Sequence, residues 1–172
     1  MPTRTSLHIS GFYATYINAL QEEDLYEALT NNTRRFRKLL KQIPKKKYDY
    51  AYAEGKWTIR EMLQHIIDAE RVFVYRAVTF ARQDANALPG FDENQWANHA
   101  KASTRSWSDL VQEFKSLRTS TELFFASLDD QQLNHTGVAN NNSIAVATLG
   151  FLCAGHCAHH MRILKERYLG KK

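Results

Sequence analysis

Residues 58–82 read TIREMLQHIIDAERVFVYRAVTFAR, and this stretch carries both the start signal and the apolar pattern of a long helix. Thr58 and Glu61 fit a capping box, in which the hydroxyl and the carboxylate bind free amides of the first turn. Apolar residues then recur at helical spacing: Met62, Ile66, Ala69, Val72, Phe73, Ala77 and Phe80. The pattern predicts a helix from about Thr58 to Arg82 and places His65 on its buried face.

Three further segments carry the same kind of apolar stripe. They span roughly residues 22–43, 108–128 and 143–168. A short aromatic segment, Phe12–Ile17, predicts an additional short helix that packs against them. Only seven glycines and three prolines interrupt the chain, which favours long helices, and we find no convincing strand pair. The sequence therefore predicts an all-α four-helix bundle, with residues 1–172 as a single domain.

The connections between these helices are long and polar. Residues 83–107 are a candidate lid, or they hold a short helix around Glu93–His99. Within them, Pro89-Gly90-Phe91 and Trp96 are expected to frame a substrate pocket. Residues 129–142 form a polar turn region, and Ser143 is a suitable N-cap for the last helix.

The sequence shows no pattern of a membrane protein or a secreted protein. No apolar run approaches the roughly 20 residues that a membrane span needs, and the N-terminus lacks a signal-peptide apolar region. We therefore expect a cytoplasmic protein without a membrane partner. Cys153 and Cys157 lie on one predicted helix with poor geometry for a disulfide, so we expect reduced thiols that pack as small apolar groups.

The net charge of +5 comes partly from basic residues within residues 34–47. A basic patch can attract phosphate backbones or anionic lipid, but charge alone is weak evidence, and a solvated helix face with a polar connection is the favoured interpretation. The chain has no recognition-helix, zinc-finger or base-stacking pattern. We therefore do not expect a nucleic-acid partner.

Three histidines point to a metal site. His156 and His160 are four residues apart, about one helical turn, so both leave the same face, and His65 lies on the buried face of another helix. Facing side chains of two packed helices can meet at one ion. Three imidazoles without a fourth protein ligand make an open, catalytic type of site for zinc, nickel, iron or copper. Asp68, one turn beyond His65, is the candidate for orienting an imidazole or for proton transfer.

Other interpretations of these residues stay open. A buried histidine is often only hydrogen-bonded within a core. His159 could compete as a ligand, whereas Cys153 and Cys157 share one stripe with the pair, and a single straight helix cannot surround an ion with four ligands. The remaining histidines lie in terminal or loop segments and are expected to face solvent: His8, His99 and His135.

Further motifs lie at residues 55–71, 75–77, 80–82, 88–92 and 154–160, with the trailing Glu166-Arg167-Tyr168. Together these motifs resemble the DinB/YfiT-like superfamily of metal-binding four-helix bundles. It implies His65, His156 and His160 as ligands of a divalent metal, commonly zinc or nickel, and a homodimer. It also implies either a metal-dependent hydrolase or an enzyme that uses a low-molecular-weight thiol, as S-transferase or isomerase.

The sequence and the resemblance lead to one functional hypothesis. We expect a metal-dependent enzyme that activates water or a low-molecular-weight thiol for attack on a small electrophilic substrate. The alternative is a non-enzymatic, metal-binding stress-response protein that uses the same three histidines.

Overall fold

The computed structural model describes residues 2–7 and 11–170. Its helices are α1 (Phe12–Ile17), α2 (Leu25–Lys41), α3 (Ile59–Ala81), α4 (Glu93–His99), α5 (Trp107–Ala126), α6 (Asp130–Asn134) and α7 (Val146–Ile163). Its strands are β1 (Thr136–Ala139) and β2 (Asn142–Ala145). Short 3₁₀ turns lie at Arg4–Ser6, Lys45–Lys47 and Ala102–Thr104, and a π-helical turn, Leu164–Tyr168, follows α7. None of the described helices combines the length and apolar character that a membrane crossing requires.

The predicted four-helix bundle is confirmed, with α2, α3, α5 and α7 as its long helices. The capping box at the start of α3 is also present: Glu61 N–H donates to Thr58 Oγ1 at 3.2 Å, and Thr58 N–H donates to Glu61 Oε2 at 2.8 Å. α7 packs against both α3 and α2, and α5 packs against the same two helices. Two consecutive pairs of long helices, α2 with α3 and α5 with α7, therefore lie across the bundle diagonal, whereas the third pair, α3 and α5, is in contact.

The region between α6 and α7 corrects the expectation that the chain has no strand pair. β1 and β2 form an antiparallel hairpin in which Ala139 pairs with Asn142. The two turn residues, Asn140 and Asn141, have φ values of 49° and 60°, a conformation that asparagine adopts more readily than most residues. Strands of four residues are too short to show a periodicity. Ser143 lies in β2, so it is not the N-cap of α7; that position belongs to Ala145.

The long connection after α3 is tied to this hairpin. The Leu88 N–H donates to the Val138 carbonyl at 2.9 Å, and the Asn140 N–H donates to the Leu88 carbonyl at 3.0 Å. The hairpin itself lies close on α3, because a Cβ added at Gly137 would come within 2.1 Å of the Phe80 ring. The connection then forms α4 at Glu93–His99, which is one of the two alternatives that the sequence left open.

A layer of buried polar groups lies between two apolar clusters of the bundle. One cluster contains Leu29, Phe73, Phe125 and Leu149, and the other contains Phe36, Leu63, Phe114 and Met161. The residues of the polar layer lie between these positions along their helices: Asn32 on α2, Glu70 on α3, Arg118 and Thr121 on α5, and Cys153 on α7. All four long helices thus contribute to one layer.

The layer is organised by an ion pair. Arg118 Nη2 donates to Glu70 Oε2 at 2.6 Å, and the side chains of the two residues are 0% and 2% exposed. Thr121 Oγ1 donates to the other carboxylate oxygen at 2.7 Å. Arg118 also donates to the Asn32 side-chain oxygen at 3.2 Å and to the Cys153 carbonyl at 3.3 Å. The ion pair thus connects α2, α3, α5 and α7.

We predict that Glu70→Ala strongly destabilises the fold, because it leaves the Arg118 charge buried and unpaired. Removing one partner of a buried pair costs about 3–5 kcal/mol, whereas a partly exposed pair contributes at most about 1 kcal/mol. The matched control is Glu113→Ala, since Glu113 pairs with Arg71 and Arg105 near the surface. Urea unfolding of both variants measures the difference. Equal losses in the free energy of unfolding would contradict the structural role given to the Glu70–Arg118 pair.

Candidate metal centre

The side chains of His65, His156 and His160 converge on one point. His156 Nε2 lies 3.0 Å from His65 Nε2 and 3.0 Å from His160 Nε2. Within residues 2–7 and 11–170, these three form the only group of at least three His, Cys, Asp or Glu side chains placed to share an ion. The three residues are 9%, 5% and 6% exposed. The predicted ligands are therefore brought together, from α3 and α7.

Hydrogen bonds among the three rings cannot account for both of these short distances. A neutral imidazole has one N–H donor and one nitrogen lone pair, so His156 Nε2 cannot serve two neighbours at once. An ion that accepts a lone pair from each nitrogen removes the conflict. Nitrogens that each lie about 2 Å from one ion are separated by roughly 3 Å, which agrees with the distances observed. The three residues fit a divalent metal.

Burial keeps the three imidazoles neutral. It lowers the pKa of His65 to about 4 and lowers the pKa values of His156 and His160 well below the usual 6.5, and the neighbouring histidines add to the effect. Metal ligation requires the neutral form of histidine. The lone pairs of the triad are therefore available near pH 7.

Aromatic side chains hold the three rings in place. Trp57 lies over His65 with 4.5 Å between ring centroids, while Tyr16 and Phe73 meet His156 edge-on at 5.4 and 5.8 Å. The Trp57 carbonyl accepts a hydrogen bond of 2.6 Å from the hydroxyl of Tyr168. Burial and the nearby Glu93 carboxylate raise the pKa of Tyr16 to about 12, so its phenol is neutral.

Close packing of α1 on α7 brings Tyr16 to the site. A Cβ added at Gly155 would lie 2.7 Å from the Tyr16 carbonyl oxygen, a distance that real Cβ atoms essentially never show. Glycine at this position therefore lets the end of α1 approach α7 directly beside His156.

The triad lies in the wall of a cavity of about 510 Å³ in the groove between α3 and α7. One stripe of α3 contributes His65, Ala69, Phe73 and Arg76, and α7 contributes Thr148, His156 and His160. The other walls come from α1 and the residue before it, the connections before and after α3, the start of α4 and the hairpin: Gly11, Tyr13, Tyr16, Trp57, Gly90, Phe91, Glu93, Asn140, Asn142, Ser143 and Ile144. A volume of this size suits a small molecule.

The expectation for the 83–107 connection holds in part. Gly90 and Phe91 line the cavity, and the Pro89 carbonyl accepts a hydrogen bond from Arg76. Trp96 packs on Phe91 with 4.8 Å between ring centroids but lines a second, shallower cavity on the other side of α4. Trp96 therefore contacts Phe91, a wall residue of the histidine cavity, without lining that cavity itself.

Asp68 also lines the second cavity, with Gln95, Trp96, His99 and Ala100. Its carboxylate accepts from Gln64 Nε2 at 3.0 Å and lies 3.6 Å from Arg71. Burial raises the pKa of this carboxyl group. These contacts place it beside α4 and not in the wall of the histidine cavity. The role in orienting an imidazole or moving a proton stays a prediction.

The other histidines and the cysteines have ordinary environments. His159 packs edge-on against Tyr16 at 5.0 Å, next to the triad, and His99 is exposed. His135 is half-buried with an enclosed Nδ1, so the expectation that it faces solvent is wrong, and His8 lies outside the described residues. Cys153 and Cys157 are free and buried, and burial raises the pKa of Cys157 to about 12. The thiols pack as apolar groups, as expected.

Sequence reasoning missed two groups of residues. Tyr16 and Trp57 come from segments whose position depends on tertiary packing, so no local pattern places them beside the triad. The sequence does carry a signal for the burial of Arg118. The residue lies four positions after Phe114 and three before Thr121, so it falls on the buried stripe of α5.

Comparisons with known proteins agree with this architecture. Residues 28–164 match the model of the DinB superfamily. The "Putative metal-dependent hydrolase OB0413" of Oceanobacillus iheyensis is 25% identical over 150 residues, which cover 83% of this chain and 84% of that protein.

Two solved structures share the fold. YfiT from Bacillus subtilis, described as "a probable metal-dependent hydrolase with an unusual four-helix bundle topology", matches with a TM-score of 0.72 and 19% identity, over 96% of this chain and 92% of that chain. The mycothiol-dependent maleylpyruvate isomerase matches with a TM-score of 0.68 and 12% identity, over 84% of this chain and 60% of that chain. At these identities the likeness concerns the fold alone. With a family model that spans most of its length and the histidine triad on α3 and α7, the chain belongs to the DinB superfamily.

Proposed function

We propose that this protein is a metal-dependent enzyme in which His65, His156 and His160 hold a divalent ion, zinc or nickel. The enzyme would activate water or a low-molecular-weight thiol for attack on a small electrophilic substrate. One observation carries the proposal: three neutral imidazole nitrogens converge in the wall of a cavity large enough for a small molecule. The names of the related proteins, a metal-dependent hydrolase and a thiol-dependent isomerase, support it.

The site would leave coordination positions of the ion open to a small molecule and would shield the imidazole rings from water. A divalent ion with three protein ligands lowers the pKa of a water or thiol bound beside them towards neutrality. Trp57, Tyr16 and Phe73 fix the imidazole rings and exclude water from their outer faces. Since burial lowers the histidine pKa values, proton competition for the three nitrogens is weak near pH 7.

We predict that the wild-type protein binds one equivalent of zinc or nickel and that His156→Ala loses at least tenfold in metal affinity. His156 is in contact with both other imidazoles, so its removal leaves only two of the three ligands. The measurement is metal content after removal of all metal and reloading, together with a competition titration.

His99→Ala is the matched control, because His99 is an exposed histidine outside the triad. It should bind metal as the wild type does. Equal metal content and affinity in wild type and His156→Ala would refute the assignment of the triad.

The nucleophile is the second point to test. We expect the zinc-loaded protein either to hydrolyse esters or amides, or to join a thiol such as bacillithiol, mycothiol or glutathione to monochlorobimane. In both cases His156→Ala should lose at least 100-fold in rate, because a group that the ion activates is lost with it. A panel of both substrate types, run with and without each thiol, separates hydrolase from transferase. No turnover with retained metal affinity would instead support a metal-binding stress-response protein.

A further inference from the structure

Arg76 is a buried cation in the wall of the histidine cavity. The residue lies on α3 and is 3% exposed, and it lines the same cavity as the triad. Its Nη2 donates one hydrogen bond of 2.8 Å, to the Pro89 carbonyl. A guanidinium carries five N–H donors, so most of its hydrogen-bonding capacity is left for another partner.

No carboxylate of residues 2–7 and 11–170 forms an ion pair with Arg76. The other buried arginine, Arg118, is paired with Glu70 at 2.6 Å. Buried charges in proteins are normally paired. The missing partner of Arg76 therefore points to an anion that enters the cavity from outside.

The charge balance of the cavity agrees with this. The three imidazoles are neutral ligands and offset none of the charge of a bound ion. Arg76 and Glu93 are the charged side chains among the other lining residues, and Glu93 is exposed at the start of α4. The interior is therefore electropositive once an ion is bound, which favours anionic substrates.

The position of Arg76 defines where the anionic group would lie. Arg76 follows His65 by eleven residues on one face of α3, which is about three turns and roughly 16 Å along the helix axis. Ala69 and Phe73 line the wall between them. A ligand that reaches both ends is extended, with its charged group away from the triad.

We propose that Arg76 binds a carboxylate of the substrate, so that the substrates are small carboxylic acids whose reacting group faces the triad. The planar guanidinium matches the two oxygens of a carboxylate. Tyr13, Tyr16, Trp57 and Phe91 offer an aromatic wall for the remainder of the molecule. The position of the reacting group rests on the proposed function, whereas carboxylate binding by Arg76 does not.

Titration calorimetry with benzoate and its neutral isostere benzamide tests the proposal. We expect metal-free and zinc-loaded wild type to bind benzoate at least tenfold more tightly than benzamide, since a hydrogen bond between charged groups is lost with the amide. Arg76→Gln should lose this preference, and Arg76→Lys should keep only part of it. Arg82→Gln is the matched control, because it removes one exposed positive charge from the end of α3.

Each outcome decides a separate point. Benzoate binding that needs zinc but is unchanged in Arg76→Gln would show that the ion alone holds the carboxylate, and it would overturn the proposal. Failure of the wild type to prefer benzoate would overturn it as well. A protein that binds neither zinc nor nickel would refute the proposed function, yet the metal-free titrations would still test Arg76.

A measurement on the wild type covers the case in which the Arg76 variants do not fold. The Nε–Hε resonance of Arg76 should shift on addition of benzoate and stay in place with benzamide. An unchanged resonance at benzoate saturation would contradict contact between the carboxylate and Arg76.

Discussion

The buried ion pair between Glu70 and Arg118 is the constraint on which the arrangement of the helices depends. Because its hydrogen bonds reach α2, α3, α5 and α7, each long helix has to adopt one rotation and one axial position to satisfy them. Glu70 follows His65 by five residues, about 140° around α3. With Glu70 directed at α5, the opposite side of α3 faces α7, and His65 meets His156 there. The polar layer thus helps to set the geometry of the metal centre without contacting it.

The polar layer around Glu70 and Arg118 differs from the polar groups of the histidine cavity in how many of its hydrogen bonds are formed within the protein. Glu70 receives hydrogen bonds from Arg118 and Thr121, so both of its carboxylate oxygens have partners within the protein. The three imidazoles crowd their Nε2 atoms together, and Arg76 keeps unused donors in the same cavity. Polar groups that are enclosed but incompletely paired are characteristic of sites that bind a ligand. The core of the bundle is therefore structural, and the groove between α3 and α7 is the candidate ligand-binding face.

The sequence predicted the parts of the structure that local periodicity determines. Four long helices and the convergence of His65 with His156 and His160 follow from apolar stripes and from a spacing of one helical turn. The hairpin was missed because its strands have four residues and its turn depends on two asparagines with positive φ. Arg118 was missed because a single arginine within a helix is usually exposed, and its burial depends on a partner from another helix.

The diagonal connectivity of the bundle explains why the cavity walls escape prediction. Two consecutive pairs of long helices, α2 with α3 and α5 with α7, lie across the bundle diagonal, so the connections between them have to cross the bundle and are long. The third pair, α3 and α5, is in contact but is also joined by a long connection. Segments from α1, from the connections before and after α3 and from the hairpin come together over one groove. Leu88 joins the connection after α3 to the hairpin by hydrogen bonds. The three histidines lie on the long helices α3 and α7, whereas most of the other residues that line the cavity lie in these segments. Sequence change there can alter the lining of the cavity without disturbing the triad.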